Sequence, residues 1–472
     1  MHARSVTPSS SEIISNLDGS VEYLLKEFQL LQSSAIDIRD ADSLGKLEIE
    51  IHARATKLAD VISAIKLQAA LNSNELNDAE KDFLKSYPGK MKNIGHRTVT
   101  VRMLGGTLVA IEVTYYHQKS DTKSRNKKGC YPKLLLLGIH DKCTPALSSR
   151  ASLFATAACS YEEAKRLMET LYGFKLDIKT IRMICKRFAF RARTCFTDGD
   201  VPIKEEFKGK RVVVSADGGR VRTRKNKRGK KTKKNRSRYK TDWREPKLIL
   251  VYVVNENGEK DRKIPPVMDA SLDGPDATFA MLLYYLKKLG VASADQLLFV
   301  SDGAVWIWDR VAGLISSLGI ELKQCILVLD FYHAVEHLTS IATQKKWAQA
   351  DAKKWVNKQR RRLLNGKLDI FIQEIEDLCY GSVNEILIRE RDYFKKHLPH
   401  MRYKEIKDKK LPIGSGGVES GIRRVINLRL KGPGIFWHED SVDAMLLLRS
   451  YYKAGRWNVL KNMAVNGGLI VN

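Results

Sequence analysis

RVVVSADGG, at residues 211–219, is a short β-branched run that ends in an aspartate followed by two glycines. A run of this length and composition is typical of a buried strand. Similar runs follow at 247–254 (KLILVYVV), 296–301 (QLLFVS, followed by Asp302-Gly303) and 325–329 (CILVL, followed by Asp330), and residues 263–268 are expected to contribute to a further strand. The sequence therefore predicts a sheet assembled from segments that lie far apart in the chain.

Helices are expected over 275–289 and 306–318, where apolar residues recur at helical spacing. The order from residue 211 is then β-β-β-α-β-α-β, which is the order of an RNase H-like α/β core. A helical stretch rich in Lys and Arg, roughly 335–410, precedes the glycine-rich segment PIGSGGVE at 412–419. We therefore predict an α/β fold, an RNase H-like catalytic core interrupted by an all-helical insertion.

The chain before this core is predicted to be mainly helical with a small β element. Helical spacing fills much of 12–90, and β-rich residues on both sides of Gly105-Gly106 predict a hairpin within 98–116. Helices are expected again over 145–190, where a turn at Gly173 joins two of them. The second helix has a basic face, which is typical of a helix-turn-helix DNA-binding unit or, alternatively, of an ordinary helical hairpin.

The expected organisation has six parts. In chain order they are an acidic helical leader (1–95) that is a candidate for self-association, a small β element and polar loop (96–140), a helix-turn-helix-like DNA-binding domain (141–205), the first part of the core (206–334), the helical insertion (335–411), and the second part of the core with a C-terminal helix (412–472).

The chain has 82 Lys and Arg against 54 Asp and Glu, a net charge of +28. The excess is uneven, because residues 1–80 have 7 basic and 13 acidic side chains, which leaves 75 basic and 41 acidic in the rest. A strong positive balance indicates a polyanionic partner, usually nucleic acid. We expect nucleic acid to contact the later part of the chain.

The composition excludes several classes of protein. No stretch approaches the ~18–20 apolar residues of a membrane-spanning helix, and the first residues lack the apolar region of a secretory signal. The 7 cysteines include no CxxC pair, which argues against a zinc ribbon or a thioredoxin motif. Their odd number favours a reducing compartment, so we expect a cytoplasmic protein.

Residues 220–240 contain 13 Lys or Arg in 21 positions and no acidic residue. They separate the first two core strands, so a projecting hairpin would bring their charge next to Asp217. Such charge neutralises phosphates whatever the base sequence; a solvated, disordered loop is the alternative. The candidate DNA-contacting residues are Arg220, Arg222, Arg224, Lys225, Lys230, Lys231, Lys233 and Lys234 in this segment, Lys179, Arg182 and Lys186 on the basic helix, and Arg423, Arg424, Arg429 and Lys431 after Glu419.

Three carboxylates are candidates for catalysis by their position. Asp217 and Asp302 each end an apolar strand and precede a glycine, and Glu419 begins a helix after a glycine-rich loop. In the predicted core the first and fourth strands are neighbours and the last helix crosses them, so the three side chains would converge. Carboxylates that converge repel one another and need cations, and their oxygens suit Mg²⁺ or Mn²⁺, with two ions expected.

Each of these residues also has an ordinary structural interpretation. Asp-Gly is common in turns, and a glutamate in the first turn of a helix is favoured by the helix dipole. The stronger signal is the conjunction of all three at the places that a nuclease core requires. Four other carboxylates rank below them: Asp273, Asp276, Glu245 and Glu336.

Asp330 and His333 form a second signal, an Asp-x-x-His element at the end of the fifth strand. A lone histidine is more often structural, but this spacing beside the predicted site favours a role in positioning DNA or a carboxylate. His337 lies one turn later, so a pair of histidine metal ligands is an alternative. With no soft ligands nearby, hydrogen bonding is favoured over zinc.

The motifs together resemble a known family, the DDE transposases of ISKra4-type insertion sequences. The matching motifs span about 211–457, and in chain order they are Asp217-Gly-Gly-Arg220, Trp243-Arg244-Glu245-x-Lys247, Ser301-Asp302-Gly303-Ala304, Leu329-Asp330-Phe-Tyr-His333-Ala-x-Glu336-His337-Leu338, Ile413-Gly-Ser-Gly-x-Val418-Glu419, Arg429-Leu-Lys431-x-x-Gly434-x-x-Trp437, Arg449 and Gly455-Arg456-Trp457.

The resemblance implies a DDE triad of Asp217, Asp302 and Glu419 that holds divalent metal ions, with Asp330 and His333 similar to the (C/D)xxH motif of related transposases. It implies a bacterial enzyme that cuts DNA at the ends of an insertion sequence and joins the 3′-OH to target DNA, as a homodimer or higher oligomer on DNA. The alternatives are an RNase H-like nuclease or resolvase that does not join ends, and a non-catalytic DNA-binding protein derived from a transposase.

Overall fold

The computed structural model describes residues 14–33, 38–87, 89–118, 129–197, 201–233, 235 and 237–467. The chain divides into two compact units. One, here called the first unit, comprises Met1–Val201 and Leu460–Asn472, and the other, the core unit, comprises Pro202–Val459.

The structure contains both α-helices and β-strands. The helices are α1 (Leu17–Ser33), α2 (Ala41–Leu71), α3 (Asn74–Ser86), α4 (Pro132–Leu136), α5 (Pro145–Ala157), α6 (Tyr161–Tyr172), α7 (Ile178–Thr197), α8 (Gly274–Lys288), α9 (Val305–Ser317), α10 (Phe331–Gln344), α11 (Gln349–Leu364), α12 (Leu368–Cys379), α13 (Glu385–His397), α14 (Tyr403–Asp408), α15 (Gly416–Ile422), α16 (Leu428–Leu430), α17 (Glu439–Lys453) and α18 (Trp457–Asn466). The strands are β1 (Met91–Arg102), β2 (Leu108–Gln118), β3 (Gly129–Cys130), β4 (Arg211–Gly218), β5 (Val221–Asn226), β6 (Tyr239–Arg244), β7 (Lys247–Val254), β8 (Val267–Ser271), β9 (Gln296–Ser301) and β10 (Cys325–Leu329).

The core unit is built on a five-stranded mixed sheet with the order β10-β9-β4-β7-β8. β4, β7 and β8 pair antiparallel, whereas β9 pairs parallel to β4, and β10 pairs parallel to β9. All eight residues of β7 are buried, as expected for a central strand with both faces covered. The predicted α/β class is confirmed.

The third strand of this sheet differs from its prediction. It was expected within 263–268, but β8 runs from Val267 to Ser271. Pro265 and Pro266 precede it, and proline has no backbone N–H with which to pair in a sheet. The strand therefore begins only after the two prolines, although they lie within the same apolar stretch.

The basic segment 220–240 includes the arms of a separate two-stranded ribbon. β5 and β6 pair antiparallel from Val221 with Arg244 to Asn226 with Tyr239. The ribbon begins three residues after Gly218, whose partner in β7 is Lys247. Its base therefore lies beside the end of β4, as expected for a hairpin that projects from the core sheet.

Five α-helices, α10 to α14, lie between β10 and the glycine-rich loop. After that loop α15 passes through a π-helical turn, Arg423–Asn427, into α16. The expected final helix corresponds to α17, which packs on β8, and α18 follows it without having been predicted.

In the first unit, the expected hairpin forms around Gly105-Gly106, with strands longer than predicted. Its turn is fixed by Asp60 of α2, a buried carboxylate that accepts hydrogen bonds from the Gly105 N–H (2.9 Å) and the Thr107 N–H (3.1 Å). Most of the polar loop expected within 96–140 lies outside the described residues.

The helical pair predicted within 145–190 is also present in the first unit, as α6 and α7. α6 ends at Gly173, whose φ of +71° is readily adopted by glycine, and the Asp177 side chain accepts the Thr180 N–H (3.0 Å) at the start of α7. The apolar face of α7 is buried as expected, with Ile181 fully enclosed. Over the described part of the chain, no helix combines the length and apolar character needed to cross a membrane.

Candidate active site

Two of the three candidate carboxylates lie at the ends of neighbouring parallel strands. β4 and β9 are adjacent, with Val214 opposite Phe299, and both continue toward the same edge of the sheet. Asp217 is the penultimate residue of β4, and Asp302 directly follows β9. The Ser301 hydroxyl donates to the Ala216 carbonyl (2.8 Å), which holds the two strand ends together.

The third carboxylate is carried by α15, which packs across β4 and β7. Small residues permit this close approach: a Cβ built at Gly417 would lie 3.0 Å from the Leu250 side chain, tighter than almost all such contacts. Glu419 lies in the first turn of α15 and is exposed. The helix therefore brings a solvent-accessible carboxylate to the edge where β4 ends.

Asp217, Asp302 and Glu419 line one cleft of about 250 Å³. The other lining residues are Ala216, Tyr332, His333, Glu336 and Ser415. The three sequence-predicted carboxylates and the predicted histidine are thus brought to the same cavity. Glu336, which ranked below them, lies there as well.

Burial and repulsion act together on the aspartates. Burial, followed by the charge of Asp302, raises the pKa of Asp217 to about 6, with a smaller contribution from Glu419. Burial also raises the pKa of Asp302, opposed by the Ala304 N–H that its carboxylate accepts (3.1 Å). Without a counter-charge, this cleft therefore disfavours full ionisation of its carboxylates.

Replacement of Asp217 by Asn should change how stability depends on pH. A folded-state pKa of about 6 against an ordinary 3.8 means that the folded protein holds the proton more tightly. The contribution of the protonated Asp217 carboxyl to stability is therefore fully present below about pH 4 and is lost as the pH rises through about 6.

We expect the free energy of unfolding of D217N, measured by urea titration with a chelator, to rise relative to that of the wild type as the pH increases from about 4 to about 7. The relative gain should not exceed about 3 kcal/mol. An equal difference between the two proteins at both pH values would contradict the assignment.

Asp330 is fully buried and links two segments of the site. As the N-cap of α10, its carboxylate accepts the N–H groups of Tyr332 (2.6 Å) and His333 (3.0 Å). Its other oxygen accepts the Ser415 N–H (2.6 Å) and the Ser415 hydroxyl. One carboxylate therefore joins the start of α10 to the glycine-rich loop.

Ser415 continues this connection to the third candidate carboxylate. Its hydroxyl lies 3.1 Å from Glu419 Oε1 as well as against Asp330. The Phe331 N–H also donates to the Ile413 carbonyl (3.0 Å), a second tie between the same segments. Asp330 thus acts through Ser415 on the position of Glu419 and is not itself a lining residue of the cleft.

His333 belongs to a chain of hydrogen-bonding groups that ends in the helical segment. Its Nδ1 lies 3.2 Å from Glu336, and its Nε2 lies 3.3 Å from His337 Nε2. His337 Nδ1 contacts the buried carboxylate of Glu390 in α13. Each of the two rings therefore has both nitrogens within hydrogen-bonding distance of another group.

Glu390 is held as an anion by its surroundings. Burial alone would raise its pKa, but hydrogen bonds from His337, Arg389 and Ser340 outweigh burial and lower it. The Tyr393 ring stacks on His337 with 3.7 Å between ring centroids, and it also lies against Gly303. α13 therefore contacts His337 through Glu390 and Tyr393 and holds its ring in position.

Sequence reasoning missed Ser415, Glu390 and Tyr393. Ser415 lies inside the GSG motif and could have been proposed as a partner of a nearby carboxylate. Glu390 and Tyr393 carry no sequence signal, because nothing in α13 indicates which neighbour it will meet.

The donor set fits hard divalent cations. All three candidate ligands are carboxylates, and the raised pKa values of the two aspartates reflect a cleft in which a cation would relieve repulsion. In the described parts of the chain, no group of three or more His, Cys, Asp or Glu side chains is already arranged as a metal shell. His333 and His337 contact each other and carboxylates, so the hydrogen-bonding role predicted for His333 has partners in the structure.

The expected DNA-contacting residues fall into separate groups. Lys225, Lys230, Lys231 and Lys233 are exposed on or beyond the β5–β6 ribbon, and Arg220 is exposed at its base; Arg222 and Arg224 are half-buried within it. Arg423 and Lys431 are exposed, and Arg424 is half-buried, in the segment after Glu419. Lys179, Arg182 and Lys186 lie on α7 of the first unit. Lys234 lies outside the described residues.

Arg429 differs from its expectation. It is only 4% exposed, and its guanidinium lies over the Trp437 ring at 4.9 Å. A side chain packed in this way is not presented to a phosphate, so the expected DNA contact does not fit the structure. Arg429 instead packs from α16 against the segment that returns to the ribbon, where the Trp437 N–H donates to the Arg222 carbonyl (3.1 Å).

Among the lower-ranked carboxylates, Asp276 pairs with Arg310 of α9, and Glu245 contacts Lys247. Asp273 accepts from the Ser271 hydroxyl (2.8 Å) where α8 begins. All three therefore have polar partners within the protein.

Searches of the chain against protein-family models and against curated proteins find no match.

Proposed function

We propose that this protein is a DDE transposase with an RNase H-like catalytic core, which cleaves DNA at insertion-sequence ends and joins the 3′-OH to target DNA. The observation that carries the proposal is the convergence of Asp217, Asp302 and Glu419 on one cleft from two parallel strands and a crossing helix. Residues 85 and 117 positions apart in sequence have no local reason to meet there.

The sheet supports the fold assignment. Numbered in chain order, its strands lie 3-2-1-4-5, with the second antiparallel to the first and the fourth and fifth parallel to it. α10 to α14 occupy the place of the expected insertion, between the fifth strand and the last core helix. The six-part organisation of the chain remains part of this proposal.

In this function Asp217, Asp302 and Glu419 are the residues that would hold two Mg²⁺ or Mn²⁺ ions. Such ions, when bound, activate a nucleophile and stabilise the leaving oxygen in phosphodiester cleavage. Asp330 and Ser415 keep Glu419 at the edge of the cleft. His333 lines the same cleft and can offer a ring N–H to a phosphate oxygen in place of the exposed Glu336 carboxylate.

Cationic side chains supply the DNA contacts. The β5–β6 ribbon projects its lysines from a base beside Asp217, and Arg423 lies one turn after Glu419. Synapsis of two DNA ends needs two or more copies of the chain, so a homodimer or higher oligomer on DNA belongs to the proposal. We place the protein in the bacterial cytoplasm, associated with the nucleoid.

A strand-transfer assay tests the proposal. Element-end DNA from sequences flanking the gene, supplied uncut and pre-cut, is incubated with the protein and Mg²⁺ or Mn²⁺, and the expected result is cleavage and joined product that a chelator abolishes. Cleavage without joining, even from pre-cut ends, would favour the nuclease or resolvase alternative. DNA binding with neither reaction would favour the non-catalytic alternative.

A further inference from the structure

A second cleft, of about 570 Å³, lies in the helical segment. It is formed by α11, the turn after it and the first turn of α12. Its lining consists of five cationic side chains, two amides and one aliphatic residue: Lys354, Lys358, Arg361, Arg362, Lys367, Asn357, Asn365 and Ile370. No carboxylate and no aromatic ring is among these lining residues.

Three of the cations are spaced along one face of α11. Lys354, Lys358 and Arg361 lie at positions i, i+4 and i+7, which share a helix face. Seven residues of helix span about 10.5 Å. Phosphates on one strand of duplex DNA recur at about 3.4 Å along the axis, so the row is about as long as three phosphate steps.

Within the described part of the chain, two of the five cations that line the cleft are paired with a carboxylate, and three are not. Glu374 of α12 holds Arg362 and Lys358 (3.0 Å), and it also accepts the Trp355 indole N–H (2.8 Å). By contrast, Lys354, Arg361 and Lys367 have no acidic partner among the described residues, and all three are exposed. Positive charge in the cleft is therefore uncompensated at these three exposed positions.

We propose that this cleft binds the phosphate backbone of DNA, as a contact surface separate from the carboxylate cleft. The choice of DNA as the polyanion rests on the proposed function. Phosphate groups match the guanidinium, ammonium and amide donors, whereas a nucleotide would find no ring in the lining on which to stack its base. The proposal thereby assigns a specific surface to the general expectation that the basic, later part of the chain contacts nucleic acid.

The test compares two triple variants of the full chain. Replacement of Lys354, Arg361 and Lys367 by Gln should weaken binding of duplex DNA, measured by fluorescence anisotropy at several salt concentrations. The plot of log K against log salt should become shallower by about 2.7, which is about 0.9 for each lost phosphate contact. Arg361→Lys alone should retain the wild-type slope, because it keeps the charge.

The matched control is Lys46, Lys81 and Lys85 changed to Gln, which removes the same charge from exposed side chains of α2 and α3. It should bind DNA like the wild type. Equal slopes in the two triple variants would overturn the proposal while leaving the transposase function open to its own assay. Saturable binding of a labelled nucleoside triphosphate, lost only in the cleft variant whose DNA binding is unchanged, would also overturn it.

Discussion

Replacement of Asp302 by Asn should abolish metal-dependent DNA cleavage and leave DNA binding within about twofold of the wild type. The change removes one of three candidate metal-ligating carboxylates but keeps an oxygen for the Ala304 N–H that Asp302 accepts. Loss of a residue that only supports a metal ligand costs about 10–100-fold. Loss of a ligand should therefore lower the cleavage rate by at least about 100-fold.

The measurement pairs a single-turnover cleavage assay with anisotropy on the same DNA. Asp309→Asn is the matched control, because Asp309 is an exposed aspartate in α9, seven residues further along the chain. It should cleave like the wild type. Cleavage by D302N at the control rate would exclude Asp302 from the chemistry, and an equal loss of binding and cleavage would identify a structural residue.

Replacement of Asp330 by Ala should have the largest effect on stability. The substitution leaves the N–H groups of Tyr332, His333 and Ser415 and the Ser415 hydroxyl without their buried acceptor. Each unsatisfied buried group costs about 1–3 kcal/mol, partly relieved by relaxation, so we expect a loss of about 3–5 kcal/mol. The corresponding fall in Tm is about 10 °C.

Asn384→Ala separates this effect from ordinary helix capping. Asn384 caps α13 in the same unit, where it accepts the N–H groups of Ile386 (2.9 Å) and Leu387 (3.3 Å), and its amide makes one further contact by donating to Gln344 of α10 (3.2 Å). Its loss should cost about 1 kcal/mol. Calorimetry that finds the two variants equally stable would contradict the linking role of Asp330.

Activity provides a second measurement for Asp330. Asp330→Asn keeps one oxygen, so the variant should fold. It presents an amide where Ser415 needs an acceptor, so Ser415 no longer fixes Glu419. The variant should therefore cleave more slowly than the wild type. A folded D330N that cleaves at the wild-type rate would show that Glu419 does not depend on this connection.

The strands were predictable because their signal is local. β7, β9 and β10 have the predicted bounds, since an uninterrupted apolar run bounded by polar residues specifies a buried strand by itself. The predicted start of β8 was wrong because the hydropathy of the segment does not reflect that Pro265 and Pro266 lack backbone N–H groups. α18 was not predicted, although its buried residues Leu460, Met463 and Ala464 recur at helical spacing.

The site was predictable only where topology determines it. Asp217 and Asp302 occupy strand ends, so a correct strand order was enough to make them neighbours. Glu390 and Tyr393 reach the histidines through the packing of α13 on α10, which no pattern in either helix encodes. Arg429 shows the opposite error, since a basic residue in a basic segment was expected at the surface but is enclosed by Trp437.

The late position of Glu419 in the chain affects how the protein is made. At about 5–20 residues per second, roughly 6–23 s pass between translation of Asp302 and translation of Glu419. During that interval the nascent chain already has its cationic ribbon but lacks Ser415 and the third carboxylate. Under the proposed function, a product that terminates early could occupy DNA without cutting it and would compete with the finished enzyme, so incomplete synthesis would restrain the reaction.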